Sequence, residues 1–372
     1  MPMTFRKGRI VVTRKLICGA GGYVQGDRIL HECGPEMKRQ GRSRAFVVGG
    51  PRALDAAYEA VSSGLERAGI PHTVQAFSGF CTAAEVSAYA RLAREAGSDC
   101  IMGIGGGKVM DLAKAAAAER HLPVYSVPTC AATCAAYAPL SVLYSQEGRQ
   151  ETTRYHSDEV RGVFADTGVL AAAPARYLAA GMADAMAKAC EYSSMRRSLR
   201  YGEADVSKYL GYCMAREADQ ILLDCGVRAY EDNRVGRITG ALEDAVFTVI
   251  AVTGIVSGMG GFAGRTGSRF AIAHGFNEVI RGRYVDAGRW LHGEIVAVGV
   301  LAQLSANGAD SAYLERVRSF FRRIGVPVTL AQLGMELGDA EFARFQEELS
   351  ARSNLGAEYK RSVCSAAASV RK

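Results

Sequence analysis

Residues 99–118 read DCIMGIGGGKVMDLAKAAAA, and the fold turns on what three consecutive glycines do between an apolar run and a helix-forming tract. Cys100, Ile101, Met102 and Ile104 have the apolar density of a buried strand, and Met110 to Ala118 are dominated by helix formers. A strand that runs through glycines into a helix aims the helix N-terminus at whatever lies beyond the strand end. Its free N–H groups suit a phosphate, which glycines without a Cβ allow to approach the backbone. Spacing excludes two common versions of this junction. A Walker A loop needs glycine at 102 and Ser or Thr at 109, where the chain has Met102 and Val109; the GxGxxG fingerprint needs glycine at 108, which is Lys108. A tight structural turn is the plainer alternative.

Outward from this junction, strand and helix signals alternate: RAFVVGG (44–50) precedes RALDAAYEAVSSGLERAG (52–69), HTVQAF (72–77) precedes TAAEVSAYARLAREAG (82–97), and KVMDLAKAAAAERH (108–121) precedes PVYSVPT (123–129). Such alternation marks βαβ units and a parallel sheet with helices on its faces. From TGVLAAAPARYLAAGMADAMAKACEY (167–192) onward the spacing is helical, through 203–225, 237–256, 291–307 and 311–324, without a convincing strand. The expected architecture is an α/β domain over 1–170 and an all-helical domain over 171–372. A cleft between two such domains is the default ligand site.

Composition narrows the function classes. The chain has 372 residues, 49% hydrophobic and 22% charged, enough for two cores. It has no run of about 18 uninterrupted apolar residues and no apolar leader at its start, so a cytoplasmic location with no membrane partner is expected. Ten scattered cysteines without a CxxC pair argue for reduced thiols rather than disulfides or a zinc knuckle. The net charge of +7 is dispersed, without the clustering that nucleic acid requires. An anionic cofactor or small-molecule substrate suits the excess.

The phrases GGGKVMDLAK (105–114) and VPTCAATCAAYAPLSVLYSQEG (127–148) resemble the glycerol dehydrogenase branch of the iron-type, group III alcohol dehydrogenases. The resemblance extends from the first βαβ unit to about residue 305. It implies the dehydroquinate synthase-like architecture of that family, a dinucleotide-binding first domain, NAD or NADP as cofactor, and a homo-oligomer. Carried over by position, the implied cofactor contacts are Gly105, Gly106, Gly107, Lys108, Thr129, Leu140 and Tyr144. Asp111 and Lys114 lie within the first phrase; a solvated pair on an exposed helix turn is their alternative.

Asp184 in AGMADAMAK, His274 in AIAHGF and His292 in WLHGE stand out by residue type. Each histidine alone reads equally as a core or capping residue, and His31, His72, His121 and His156 read as surface residues. One carboxylate and two imidazoles suit a borderline divalent ion such as zinc or iron. The resemblance implies that Asp184, His274 and His292 are that ion's ligands, since AGMADA and the eighteen-residue histidine step match the family pattern. A second histidine common in relatives is Asn277 here, which puts a four-ligand iron site in doubt. The implied chemistry is hydride transfer with the metal as Lewis acid.

Substrate-side residues depart from the glycerol dehydrogenase pattern. Cys134 replaces a polyol-binding aspartate, and Arg265 and Arg269 precede His274 by nine and five residues. A guanidinium beside a metal is a natural carboxylate clamp, and Arg269 is the better candidate. These departures point to a 2-oxo or 2-hydroxy acid substrate, with glycerol, dihydroxyacetone or another small diol as the alternative. A non-redox lyase of the dehydroquinate synthase type and an inactive binding protein are the rivals from other classes. In RAFVVGGPRALD (44–55), the strand end lacks the carboxylate that usually selects NAD, and Arg52 could meet a 2′-phosphate.

Overall fold

An apolar run without alternating polar positions has no face to offer water, so it forms a strand covered on both sides. AFVVG (45–49), CIMGIG (100–105) and VYSVP (124–128) are such runs, and all their residues are buried. The computed structural model describes residues 19–156, 159–193, 200–201, 206–259, 272–286, 288–351 and 357–372. Its strands are β1 (Tyr23–Gly26), β2 (Ala45–Gly49), β3 (His72–Ala76), β4 (Cys100–Gly105), β5 (Val124–Pro128), β6 (Leu140–Tyr144), β7 (Gln150–Tyr155) and β8 (Val160–Asp166). Six of them pair in parallel in the order β1-β8-β5-β4-β2-β3, while β6 and β7 form a separate antiparallel hairpin.

Helices α1 (Cys33–Arg39), α2 (Pro51–Arg67), α3 (Ala83–Glu95) and α4 (Gly107–Arg120) connect the sheet strands. Strand β2 lies between β3 and β4, so the chain reverses its direction of travel across the sheet there. The crevice at the carboxyl ends of β2 and β4 is the place such a sheet offers a ligand. The last sheet strand ends at Asp166, and helices follow.

These are α5 (Thr167–Ala172), α6 (Ala175–Tyr192), α7 (Val206–Arg234), α8 (Gly240–Phe247), α9 (Thr253–Met259), α10 (Ile272–Ile280), α11 (His292–Ala306), α12 (Ser311–Arg323), α13 (Asp339–Ala351) and α14 (Ala357–Ala368). A π-helical turn, Thr248–Val252, joins α8 to α9. The stretch Gly240–Met259 has the length and composition of a membrane span, but most of it is buried inside the fold as a core helix would be.

Helix α6 is the centre of the helical half. A methyl group at Gly181 would meet the Ala131 carbonyl oxygen at 1.9 Å, and one at Gly293 would meet the Ala180 carbonyl oxygen at 1.8 Å. Only glycine permits α6 to lie this close to the loop after β5 and to the start of α11. Gly293→Ala must push α11 off α6, and an overpacked contact of this kind costs about 1–3 kcal/mol. The expected result is a lower thermal midpoint with loss of whatever function depends on the position of His292.

Two expectations about polar residues are corrected. His31 and His121 are exposed, but His72 is half-buried and His156 is buried. Ser141 Oγ donates to the Asp111 carbonyl at 2.7 Å, so His156 Nε2, 2.8 Å away, donates to that hydroxyl. Burial, with Lys114 and Arg154 nearby, lowers the His156 pKa to about 4. An unfolded histidine titrates near 6.5, so acid favours the unfolded chain, and this contribution is lost as pH falls from about 6.5 toward 4. Between pH 7 and pH 5 the loss is about 2 kcal/mol. Denaturant midpoints measured at both pH values should therefore differ less in His156→Gln than in the parent.

The second correction concerns Asp111 and Lys114, which are both buried rather than solvated. Every residue of α4 from Val109 to Ala117 is covered, so this part of the helix has no water-facing side.

Candidate active site

The glycine junction takes the form its sequence calls for. Gly105 ends β4, and Gly106 caps α4 in an extended conformation without any side-chain cap. Methyl groups at Gly106 and Gly107 would lie 3.2 Å from Cys130 Sγ and 3.5 Å from Thr133 Oγ1, so the loop after β5 closes over the junction. Gly106, Gly107, Lys108, Thr129, Leu140 and Tyr144 all line one cleft of about 2090 Å³. Gly105 does not line it; its carbonyl accepts the Thr129 N–H at 3.1 Å and ties the ends of β4 and β5 together. Lys108 Nζ lies 4.0 Å from the centre of the Phe80 ring, and burial, then Arg281, lowers its pKa.

Lys114 fixes the loop from beneath. Its ammonium donates to the carbonyls of Ala135 at 2.7 Å and Ala138 at 2.9 Å, and to that of Leu140, and pairs with Asp111 Oδ1 at 3.2 Å. A buried ammonium with three carbonyl acceptors and a carboxylate has its donors satisfied, so the loop is tied to α4. The sequence does carry a signal for this: a lone Asp-x-x-Lys pair in a stretch, Val109–Ala118, otherwise composed of Ala, Leu, Val and Met.

Across the cleft, the structure brings Asp184, His274 and His292 together from α6, α10 and α11. One ligand atom from each lies within 4.8 Å of the others. His292 Nε2 and His274 Nε2 stand 3.2 and 3.3 Å from Asp184 Oδ1, which is buried and has no hydrogen-bond donor among the described residues. A buried carboxylate oxygen without a donor is costly, and two imidazole nitrogens aimed at it make a place for a cation. One oxygen and two nitrogens in this arrangement fit a zinc or iron ion. Asn277 is buried on α10 and is not part of the cluster.

Three residues that the motif search passed over position these groups. Glu191 receives His274 Nδ1 at 2.8 and 2.9 Å and accepts the His274 backbone N–H at 2.9 Å. This bond puts the ring proton on Nδ1 and turns the Nε2 lone pair toward Asp184. Arg176 at the start of α6 grips Glu294 at 2.5 and 2.7 Å, and Glu294 accepts the Leu291 N–H at 2.7 Å, fixing the helix start that carries His292. Asp184, Lys188 and Glu191 are the only charged residues of α6 after Arg176, and their i, i+4 and i+7 spacing places them on one face. That spacing was the available signal.

The electrostatics agree with the geometry. Burial would raise the Asp184 carboxyl, but Lys188 and the two imidazoles outweigh it and hold it well below the usual range. Burial opposes charge on His274, yet Glu191 and Asp184 outweigh it and raise the imidazole to about 9. The carboxylates thus draw positive charge to this point, and a divalent ion supplies it in place of a proton. Cys134 is buried at the cleft wall with its thiol 3.8 Å from Ser257 Oγ. Arg265 and Arg269 lie outside the described residues.

Comparison with known proteins places this geometry in a family. Residues 20–165 match the family model described as iron-containing alcohol dehydrogenase. The chain is 34% identical over 320 residues to a glycerol dehydrogenase of Pseudomonas putida, covering 86% of this chain and 85% of that protein. It is 31% identical to hydroxycarboxylate dehydrogenase A of Escherichia coli K12, over 80% of this chain and 79% of the other. The solved structure of a probable glycerol dehydrogenase from Sinorhizobium meliloti 1021 superposes with a TM-score of 0.81 at 25% identity, over 96% of this chain and 99% of that one. A sheet domain with a glycine junction, a helical domain carrying an Asp-His-His cluster and these relatives lead to one conclusion: the chain belongs to the iron-containing alcohol dehydrogenase family, metal-dependent, nicotinamide-linked oxidoreductases acting on CH–OH groups.

Proposed function

We propose that the chain transfers a hydride between NAD or NADP and a small compound whose reacting carbon bears oxygen and whose neighbouring carbon bears a second oxygen function. Glycerol and dihydroxyacetone are the substrates that the relatives support best, ahead of the 2-oxo acid expected from the sequence. The observation that carries the reading is the convergence of Asp184, His274 and His292 on the same cleft as the glycine junction.

In this reading residues 1–170 bind the dinucleotide, with Gly106, Gly107 and Lys108 at its pyrophosphate and Thr129, Leu140 and Tyr144 along the nicotinamide side. Gly105 acts through the turn rather than by contact. Residues 171–372 hold the ion, with Asp184, His274 and His292 as ligands and Glu191 orienting His274. The ion, when bound, polarises the substrate oxygen as a Lewis acid. The protein supplies position: Lys114 pins the loop that separates dinucleotide from substrate, and Cys134 on that loop presents an uncharged wall. The β2 end, Gly49-Gly50, offers no carboxylate to repel a 2′-phosphate, and Arg52 lines the cleft beyond it, so both nicotinamides belong in the assay.

Asp184→Asn should lose the ion by elemental analysis and lose activity with it; a variant that keeps both would overturn the ligand assignment. Glu191→Gln should bind zinc about 10–100-fold more weakly in a metal-buffered titration, the usual effect of removing a histidine's outer partner. A steady-state panel on metal-loaded enzyme, with NADH and NADPH against dihydroxyacetone, glyceraldehyde, 2-oxobutyrate and 2-oxoglutarate, tests the reaction itself. Hydride transfer to at least one of them is expected, and none to any would sink the reading.

A further inference from the structure

Lys188 is a cation that the proposed reaction leaves unused. It lies one helical turn beyond Asp184 on α6 and lines the cleft, with Nζ 3.2 Å from His274 Nε2. In the neutral ring, the form that binds a metal, Glu191 keeps the proton on Nδ1 and Nε2 is the acceptor facing the lysine. An ion held by Asp184, His274 and His292 would need that same lone pair, which would free the Lys188 ammonium to face a ligand in the cleft.

Charge makes the consequence plain. Asp184 and Glu191 contribute two negative charges and Lys188 one positive, so a divalent ion brings the centre to a net positive charge. Inside a cleft, where water screens poorly, such an excess favours an anionic ligand over a neutral one of the same size. The facing wall does not compensate, because Cys134 is buried and burial raises its thiol above the ordinary value, so it stays uncharged near pH 7. Nζ lies 3.2 Å from a candidate ligand atom, so a small substrate held at this centre would have its neighbouring substituent near the Lys188 ammonium.

We propose that Lys188 docks an anionic group on the carbon next to the reacting one, so that the cleft prefers 2-oxo and 2-hydroxy acids to uncharged diols of similar size. This rests on the metal-dependent reading above and specifies its second oxygen function as a carboxylate. In the reducing direction the hydride adds to the C2 carbonyl carbon, the carbonyl oxygen takes a proton from solvent, and the nicotinamide leaves oxidised. The carboxylate is unchanged and keeps its contact with Lys188 from ground state to product. An interaction present throughout acts on KM rather than kcat.

The test compares parent, Lys188→Met and Lys188→Arg, each loaded with zinc and checked for metal content. For Lys188→Met, the ratio of kcat/KM for 2-oxobutyrate to that for dihydroxyacetone should fall about 10–100-fold, the usual weight of a charge-assisted hydrogen bond, mainly through KM. Lys188→Arg should recover part of it. Oxamate, a carboxylate analogue that is not turned over, should bind the zinc-loaded parent in a calorimetric titration and bind Lys188→Met at least tenfold more weakly. Equal oxamate affinity in the two proteins, or equal changes in KM for both substrates, would overturn the inference. A parent that reduces dihydroxyacetone but neither reduces 2-oxobutyrate nor binds oxamate overturns it while leaving the metal-dependent reading intact. A parent that takes up no zinc and reduces neither substrate overturns both.

Discussion

One buried carboxylate oxygen governs the helical half of the molecule. Asp184 Oδ1 has been taken out of water with no hydrogen-bond donor among the described residues to replace it, and two imidazole nitrogens converge on it. Such an arrangement persists only if the surrounding helices resist spreading and if positive charge is drawn to the point. Both conditions are built in. Gly293 brings α11 against α6, and Gly181 brings α6 against the loop after β5, both too close for any other residue, and the Arg176–Glu294 pair pins the start of α11. Glu191 fixes the orientation of His274 while adding a second negative charge nearby.

The loop after β5 couples this centre to the dinucleotide side. Its Ala131 carbonyl lies against Gly181, its Cys130 thiol lies against Gly106, and its carbonyls at Ala135 and Ala138 accept from Lys114. The loop is therefore pressed between the helix that carries Asp184 and the helix whose N-terminus faces the cleft. The connection between the two helices runs through packed backbone rather than through flexible side chains. This explains why a fully buried ammonium is tolerated in α4: its lost hydration is replaced by three carbonyls and Asp111, and what it fixes is the loop after β5 against α4.

How much of this was legible depends on whether local sequence carried the cause. Continuous apolar runs identified β2, β4 and β5, because burial on both faces leaves no alternation to confuse. The polar β7 and the short β1 have no such signal, since their strand character comes from pairing with β6 and β8. Asp184, His274 and His292 were legible as residue types matched to a family pattern, and the glycine junction as a break between two periodicities. Glu191 and Lys188 were not, because a charged residue four or seven positions along a helix looks like a solvent-facing one until the helix is known to be covered. His156 failed for the same reason: polar neighbours in sequence, TTRYHSDE, said nothing about the packing of its ring beneath Ser141.

The same distinction governs what similarity to relatives conveys. Chains that share about a third of their residues over most of their length share a scaffold, and substrate preference is set by the site built on it. Preference for a neutral or a charged substrate needs only a side chain or two at the cleft wall, at positions whose exchange leaves the packing intact. Cys134 and Lys188 stand at that wall: neither belongs to the metal cluster or to the glycine junction, and both line the cleft. A glycerol dehydrogenase and a hydroxycarboxylate dehydrogenase are similar to this chain to nearly the same degree, which is expected when overall identity tracks the scaffold. The deciding quantity for substrate class is then the charge balance around Asp184, and Lys188 is the residue that shifts it.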